Sequence, residues 1–261
     1  MRKTTQRRMY QGVNYAIFVV LLLVIVLATD WERIVNQFFR WDVAREMLPE
    51  IITIALKNTI LFTVISFAGG LLLGVVMALL KLSSVGPYRW FATAYIEFFR
   101  GVPALLTIFA MAYMLPIALG VRVPGGQVGA GLVGLILVAS AYMAEVIRAG
   151  IQAVPKGQTE AARSLGMSPG RTMFWVVLPQ GIRIVIPPMT NEFVLLLKDT
   201  SLLFIAGSTV FTKELTTFAR DGLTTYANGT PLIMAAMLYL LVTVPLTRLV
   251  AWLERKMAKT R

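Results

Sequence analysis

The sequence contains no cysteine and no histidine among its 261 residues. Without cysteine it can form neither disulfides nor thiolate metal sites. Without histidine it lacks the commonest metal ligand and the usual general base at neutral pH. It also has no Gly-Lys dipeptide, so the G-x-x-x-x-G-K-[ST] loop that cradles nucleotide phosphates is absent. We therefore expect this chain to be no enzyme and to carry no catalytic residue, metal or cofactor of its own.

Acidic residues are scarce as well, with 13 Asp and Glu against 25 Lys and Arg and a net charge of +12. Such a balance can indicate nucleic-acid binding. Here, however, the basic residues sit at the ends of apolar runs and are not clustered with aromatic residues on one face. Hydrophobic residues make up 57% of the chain, well above the roughly 45–50% of soluble domains. The composition predicts an all-α, polytopic membrane protein that binds no nucleic acid.

Long apolar runs predict six spans, because a membrane-crossing helix needs about 20 mostly apolar residues. The first run, at 13–28, is short, and a secretory signal peptide is a competing interpretation because basic residues precede it. No small-x-small cleavage site follows, so we expect the span to be retained. The mixed-charge segment at 30–50 is expected to lie along the membrane interface. The remaining spans are predicted at 52–80, 90–119 with a break near Gly101-Val102-Pro103, 128–147, 184–206 and 231–252.

The distribution of Lys and Arg predicts how the chain is oriented. More than half of the 25 basic residues lie in the two termini and in the connections near 81–89 and 148–183. The connections on the opposite side hold few of them. Because positively charged connections stay on the cytoplasmic side, both termini and the 148–182 connection are expected in the cytosol.

The connection at 148–182 carries regularly spaced helix signals, unlike an ordinary loop. Pro155 suits a first helical position, and Gly166 suits a left-handed helix end. Ser168 suits an N-cap and is followed by Pro169 at the next first position. Pro179 is expected to end the second helix. We predict two short capped helices, an arrangement typical of a surface that another protein grips.

The first of these helices carries small side chains, and Glu160 and Arg163 are spaced so that they can pair at i,i+3. The segment resembles the signature loop of the membrane subunits of bacterial ABC importers. That pattern is Glu-Ala-Ala, three residues, Gly, nine residues, an aliphatic residue, one residue and Leu-Pro. The sequence matches it at Glu160, Ala161, Ala162, Gly166, Val176, Leu178 and Pro179.

Further segments narrow the resemblance to the permeases of polar amino-acid importers. They are TIALKNT at 53–59, EFFRGVPAL at 97–105, YMAEVIRAGI at 142–151, KGQ at 156–158, and Asn191 with LLKDTSL at 196–202. The resemblance implies a five-span permease core at 51–254 that includes the docking loop at 148–182. A tail, an extra span and the interfacial segment at 1–50 precede this core, and a basic tail at 255–261 follows it.

The resemblance also implies partners. A cytosolic ABC ATPase dimer would sit on the docking loop, bind ATP and Mg, and hydrolyse the ATP. A second permease subunit, identical or paralogous, would complete the pathway, and an extracytoplasmic solute-binding protein would deliver a polar amino acid. The expected location is the lipid bilayer of the bacterial cell membrane. The residues expected to couple the chain to the ATPase are Glu160, Ala161, Ala162, Gly166, Leu178 and Pro179.

Polar residues inside the predicted spans are the candidates for the substrate pathway. A charge near the bilayer centre costs about 2.5–3.5 kcal/mol on insertion scales, so it faces a partner or water. One interpretation is structural: Glu97 pairs with Arg100 within a helix, and Lys198 and Asp199 neutralise each other. The other is that these groups meet the carboxylate and ammonium of a zwitterion. The candidates are Glu97, Arg100, Asn191, Glu192, Lys198, Asp199, Thr200 and Ser201.

Two of these candidates, Arg100 and Lys198, are cationic and slightly favour glutamate or aspartate as the substrate. A secondary transporter or channel that needs no ATPase is the main alternative, although it gives the capped helix no use. A membrane anchor that only recruits an ATPase is a second alternative. The insertion cost of Lys198 and Asp199 argues against it. The spacing Gly70-x-x-x-Gly74 predicts close helix packing and not a substrate role.

Overall fold

The computed structural model describes residues 2–121 and 123–258, and every regular element within them is a helix. Arg122, Lys259 and Arg261, which count among the basic residues, lie outside the described residues, as does the end of the predicted basic tail. Five helices of the described chain are long and apolar enough to cross a membrane, and a sharply bent helix pair makes a sixth. The prediction of an all-α protein with six spans is confirmed.

The first helix, α1 (Arg2–Ala28), stands apart from the rest of the protein. Its membrane-length part, Tyr10–Ala28, has none of its residues buried. A helix that is apolar on all sides and has none of its membrane-length part buried suits contact with lipid. The short first span predicted at 13–28 is therefore confirmed as a helix of membrane-spanning length.

Two short helices follow, α2 (Trp31–Phe38) and α3 (Trp41–Glu50). The side chains of Trp31, Val35 and Phe38 share one face of α2, as their i, i+4, i+7 spacing requires, and all three are exposed. An exposed apolar face on a short, otherwise polar helix suits the membrane interface, where aromatic rings concentrate. The interfacial position of 30–50 stays a prediction that this geometry supports.

The α3 helix continues through a π-helical turn, Ile51–Leu56, into α4 (Lys57–Leu82). The span predicted at 52–80 is thus the later part of a longer helical run. Ile51 and Ala55 are completely buried against the C-terminal helices, so the beginning of this run is anchored to the protein.

The next span is broken where the sequence predicts. Residue Val102 is extended, with φ −87° and ψ 133°, because the residue before a proline is driven away from the helical region. The two halves of the span meet at 104°. The pieces are α5 (Gly86–Gly101), α6 (Ala104–Phe109), a π-helical turn (Ala110–Met114) and α7 (Leu115–Leu119).

The central helix, α8 (Gly126–Gln152), packs most closely against α4. A Cβ atom placed on Gly70 would lie 3.0 Å from Ala139 Cβ, and one on Gly74 would lie 3.0 Å from Met143 Cβ. The two backbones therefore approach each other through the small face that Gly70-x-x-x-Gly74 predicts.

The second half of the chain holds the docking segment and the last two spans. The predicted span at 184–206 belongs to a helical run that begins at 169, and the span at 231–252 lies inside the last helix. The elements are α9 (Lys156–Ser164), α10 (Pro169–Thr172), a π-helical turn (Met173–Val177), α11 (Leu178–Asp199), a 3-10 turn (Thr200–Ala206), α12 (Leu215–Tyr226) and α13 (Thr230–Ala258).

Candidate docking and transport sites

The α9 helix is the centre of the docking segment. It begins at Lys156, and Pro155 is its N-cap with φ −57° and ψ 132°. The prediction that Pro155 is the first helical residue is therefore wrong by one position, because its ψ angle is extended. Proline still suits this place, since an N-cap needs no N–H for the helix.

The C-terminal end of α9 is fixed by a Schellman motif. Gly166 has φ +82°, a left-handed conformation that favours glycine because it has no Cβ. Its N–H donates to Arg163 O at 3.0 Å, and Met167 N donates to Ala162 O at 3.1 Å. These two bonds satisfy carbonyls that the helix end would otherwise leave unpaired. The predicted left-handed cap at Gly166 is confirmed.

Most of α9 is exposed, and Ala162 alone of its residues is buried, at 5% exposure. Small Ala162 lets the helix lie against the body of the protein while Glu160 and Ala161 face outward. The pairing that the i,i+3 spacing allows between Glu160 and Arg163 does not form in the described chain, and Arg163 Nη1 donates to Met167 O instead. Glu160 is exposed and has no ion pair with Arg163 among the described residues.

The second predicted helix begins as expected and does not end as expected. Ser168 is the N-cap of α10, and its Oγ accepts from Arg171 N at 3.5 Å. Pro179 does not stop the helix, because α10 passes through the π-helical turn into α11. In that turn Leu178 N donates to Met173 O, five residues back. The wider turn makes room for the proline ring, which otherwise clashes with the preceding turn of a helix.

Leu178 and Pro179 therefore lie at the foot of a membrane-spanning helix, not at the end of a separate docking helix. An apolar cluster of Ile151, Val154 and Val177 joins this foot to the end of α8. Val154 is one residue before the N-cap of α9. The docking helix is thus attached to two spans at once, through a short and buried base.

The polar candidates inside the membrane meet where α5, α8 and α11 come together. The guanidinium carbon of Arg100 lies 5.5 Å from the centre of the Tyr142 ring, in cation–π geometry. Glu192 lies within electrostatic range of both Arg100 and Asp199. Glu192 and Asp199 are seven residues apart and so share a face of α11. The structure therefore places Arg100 on the ring of Tyr142, with Glu192 within electrostatic range of Arg100 and Asp199.

A stripe of α11 is uncovered beside this group. Pro188, Asn191, Leu195 and Lys198 are all exposed, at the i, i+3, i+7, i+10 spacing of one helix face. Lys198 acts electrostatically on Asp199, but no ion pair within 4.0 Å joins them in the described residues. Polar groups on an uncovered face of an apolar helix require water or a second protein surface there.

Three candidates are placed differently from the others. Glu97 is exposed on α5 and forms no ion pair with Arg100 in the described part of the protein, so the structural interpretation of these two residues as an intrahelical pair does not hold here. Arg100 contacts the ring of Tyr142 instead. Thr200 is completely buried, and its Oγ1 donates to Leu197 O at 2.6 Å. Ser201 is half-buried in the same 3-10 turn. Thr200 therefore closes the end of α11 and offers no free polar group.

Sequence reasoning missed an ion-pair network that joins α4 to α8. Lys81 Nζ lies 3.0 Å from Glu145 Oε2, and the guanidinium of Arg148 binds the other oxygen, with Nε 3.1 Å from Oε1. The sequence signal is a single acidic residue near the end of a predicted span with Arg three residues on. Its second cation is 64 residues away, so the sequence alone does not reveal it.

A buried carboxylate outside the spans was also missed. Glu214, only 1% exposed, caps α12 by accepting from the backbone N–H groups of Thr216 and Thr217, each at 2.6 Å. Burial raises the pKa of Glu214, and these hydrogen bonds oppose the rise by stabilising the charged form. Glu214 thus holds the loop that precedes α12. Asn58 holds the same loop, because its Nδ2 donates to Lys213 O at 2.9 Å.

These features define a class of protein: a multi-pass helical membrane protein with a short, exposed and capped helix between two of its spans and an uncovered polar face within them. The chain belongs to the family of binding-protein-dependent transport system inner membrane components, whose model matches residues 70–259. The resemblance to the permeases of polar amino-acid ABC importers is confirmed by this match and by similar proteins.

The chain is 40% identical over 203 residues to the probable glutamine ABC transporter permease protein GlnM of Bacillus subtilis (strain 168), covering 78% of this chain and 91% of GlnM. It is 30% identical over 227 residues to the glutamate/aspartate import permease protein GltK of Escherichia coli O157:H7, covering 84% and 99%. A crystal structure of an amino acid ABC transporter with histidines has 35% identity and a TM-score of 0.73, covering 81% and 95%.

Proposed function

We propose that this chain is the membrane-spanning permease subunit of an ATP-driven importer of a polar amino acid in the bacterial cell membrane. The observation that carries the proposal is the exposed α9 helix, fixed at its end by the Schellman motif at Gly166. A rigid helix whose outward face bears Glu160 and Ala161 suits a cleft on a partner. A cytosolic ABC ATPase dimer, which binds Mg and ATP, is the partner we assign to it.

The ATPase drives the transport cycle through the base of α9. When two ATPase subunits close on ATP, the α9 helices of two permease subunits move together. Each α9 is joined to α8 and α11 through buried Val154 and Val177, so its movement turns the spans as rigid bodies between inward-facing and outward-facing states. Gly166, Leu178 and Pro179 contribute the helix end and the foot of α11 to this lever.

The substrate passes along the uncovered face of α11. A second permease subunit, identical or paralogous, supplies the opposite wall, since Asn191 and Lys198 are exposed here. A zwitterion needs a cation for its carboxylate and an anion for its ammonium. Arg100 supplies the first, and Glu192 with Asp199 supplies the second.

We further propose glutamate or aspartate as the first substrates to test. Neither Arg100 nor Lys198 has a carboxylate within ion-pair distance among the described residues, so both can meet the two carboxylates of an acidic amino acid. An extracytoplasmic solute-binding protein delivers it. Support comes from GltK, named as a glutamate/aspartate permease, whereas GlnM is named for glutamine; uptake assays must therefore include glutamine.

The test is uptake of labelled glutamate, glutamine and arginine into vesicles that contain this chain with its co-expressed ATPase and binding protein. Uptake should require ATP, and Glu160→Arg should abolish it because the substitution reverses the charge on the docking face. The matched control is Glu254→Arg, which replaces an exposed carboxylate of α13 outside the docking segment. Uptake that ignores both ATP and Glu160→Arg would instead identify a secondary transporter or channel.

A further inference from the structure

The ion-pair network of Lys81, Glu145 and Arg148 ties the ends of two spans together beside the docking helix. Glu145 uses both oxygens: Oε2 lies 3.0 Å from Lys81 Nζ on α4, and Oε1 accepts from Arg148 on α8. The side chains are 19%, 23% and 25% exposed, respectively. A charge-assisted contact shielded from water to this degree is stronger than an ordinary surface ion pair.

The network is continuous with the base of the docking helix. Arg148 Nη1 donates to Gln152 Oε1, and Gln152 is the last residue of α8. The α9 helix begins four residues later, at Lys156. Leu82, which follows Lys81, packs against the apolar cluster that contains Val154. A polar contact and an apolar contact thus fix the end of α4 to the base of α9.

Other residues of the same two helices reach the candidate pathway. Tyr142 lies three residues before Glu145 on α8, and its ring makes the cation–π contact with Arg100. On α4, Phe67 stacks edge-on against Phe193 at 5.2 Å between ring centres, and Phe193 adjoins Glu192. Helices α4 and α8 therefore connect the docking helix to the polar group through rigid elements.

We propose that Glu145 is a positioning residue for energy coupling: by binding Lys81 it makes α4 and α8 move as one body when the docking helix moves. This inference rests on the proposed function of the chain as an importer permease. Loss of the cross-helix contact would loosen the end of α4 from α8 beside the docking helix, although the two helices stay packed at Gly70 and Gly74, so α4 would follow the movement of α8 less closely. ATP would then be hydrolysed without a matching movement at the pathway.

The decisive measurement is the number of amino-acid molecules transported per ATP hydrolysed by the assembled importer. Lys81→Met removes the cross-helix contact and leaves the Glu145–Arg148 pair to hold α8. We expect the ratio to fall roughly fivefold or more while the ATPase still co-purifies, and Lys81→Arg to restore it. The matched control is Lys213→Met, which breaks the 2.6 Å ion pair with Asp221 at a comparable 24% exposure outside the spans; its ratio should stay at the wild-type value.

A cross-link supplies a test that does not depend on charge. Because the natural sequence has no cysteine, the double variant Lys81→Cys, Glu145→Cys can be joined selectively by a short bis-maleimide. The uncross-linked variant should be uncoupled, and the cross-link should restore coupling because the two ends move together. A cross-link that blocks transport would overturn the inference, because it would show that α4 and α8 separate during the cycle.

The outcomes separate this inference from the function it rests on. Wild-type protein without ATP-dependent uptake would overturn the proposed function and the inference with it. A coupled wild type whose ratio is unchanged in Lys81→Met would overturn only the inference. An equal fall in Lys213→Met would do the same, because it would show a general effect of losing an ion pair.

Discussion

The docking segment and the intramembrane polar group are built in opposite ways. In the docking segment the contacts are local: Gly166 bonds to Arg163, and Ser168 to Arg171, three residues away in each case. In the polar group the contacts are distant, with Arg100 on the ring of Tyr142 from another helix. Local contacts produce a shape that survives movement as a unit, whereas distant contacts change whenever helices move.

This difference suits the two tasks. A lever must keep its form while it transmits force, and the Schellman motif gives α9 that form without help from other helices. A pathway must alternate between two states, so its walls must come from separate bodies that shift against each other. The contacts indicate that the docking segment and the intramembrane polar group are structurally independent. Substitutions that alter one of these regions and leave the other unchanged test this independence.

The largest expected effect is that of Gly166→Val on the docking segment. At φ +82° a β-branched residue is strained by about 1–3 kcal/mol, so the helix end should unwind and α9 should shift. We expect ATP-dependent uptake and co-purification of the ATPase to fall roughly 5- to 150-fold, which is the same free energy expressed as a ratio.

The matched control is Gly157→Val within the same helix. Gly157 has open space around its Cβ position and no positive φ, so its substitution should leave both measurements close to the wild type. Normal transport by Gly166→Val would remove the rigid-lever account of the segment.

The next effect concerns the pathway alone. Glu192→Gln removes the carboxylate that lies near both Arg100 and Asp199. In the proposed pathway Glu192 accepts a hydrogen bond from the substrate's ammonium, and a bond to a charged group contributes about 1.5–3 kcal/mol. We therefore expect the KM for uptake to rise roughly 10- to 150-fold while the ATPase remains bound. Glu97→Gln is the control, since Glu97 is exposed and has no ion pair with Arg100. Equal effects of the two variants would contradict the grouping described for the pathway.

A moderate effect is expected on stability, away from both regions. A Cβ on Gly74 would lie 3.1 Å from Ser140 O and 3.2 Å from Ala144 N. Overpacking of this kind costs about 1–3 kcal/mol, so Gly74→Val should lower the thermal unfolding midpoint of the detergent-solubilised protein. Gly12→Val, where nothing lies within 4 Å of the Cβ position, is the control. An unchanged midpoint for Gly74→Val would mean that α4 and α8 can separate freely.

Residues whose conformation is set by their own chemistry were predicted correctly from the sequence. The break near Pro103 follows from the restriction on the preceding residue, and the left-handed Gly166 follows from the absence of a Cβ. Long apolar runs likewise predict membrane-length helices whatever their neighbours are. In each case the cause lies within a few residues of the feature.

The errors have a common physical reason. Spacing of i,i+3 permits Glu160–Arg163 to form a pair but does not oblige it, and a nearby carbonyl competes for Arg163. For Arg100 the competitor is an aromatic ring on another helix. Pro179 was expected to end a helix, and the π-helical turn before it removes the clash. The partner or turn that decides each case is set by packing, which the local sequence does not contain.

The smallest expected effect sharpens the claim that the docking segment is built locally. Ser168→Ala deletes the N-cap hydroxyl of α10, whose bond to Arg171 N is long at 3.5 Å, so the loss should be near the lower end of the usual 0.5–2 kcal/mol, about 0.5 kcal/mol. Thr172 Oγ1 still donates to the backbone O of residue 168 at 3.0 Å, because the substitution spares that carbonyl. We expect faster amide exchange at Arg171 alone, and uptake within about twofold of the wild type, since 0.5 kcal/mol is close to RT.

The matched control is Ser164→Ala. The hydroxyl of Ser164 donates to Glu160 O inside α9, and that carbonyl belongs to the helix ladder and not to a cap, so the substitution should change neither amide exchange nor uptake. Faster exchange that spreads to α11 would show that the cap supports the span as well, and the boundary between the two regions would have to be drawn at Pro179 rather than at Ser168.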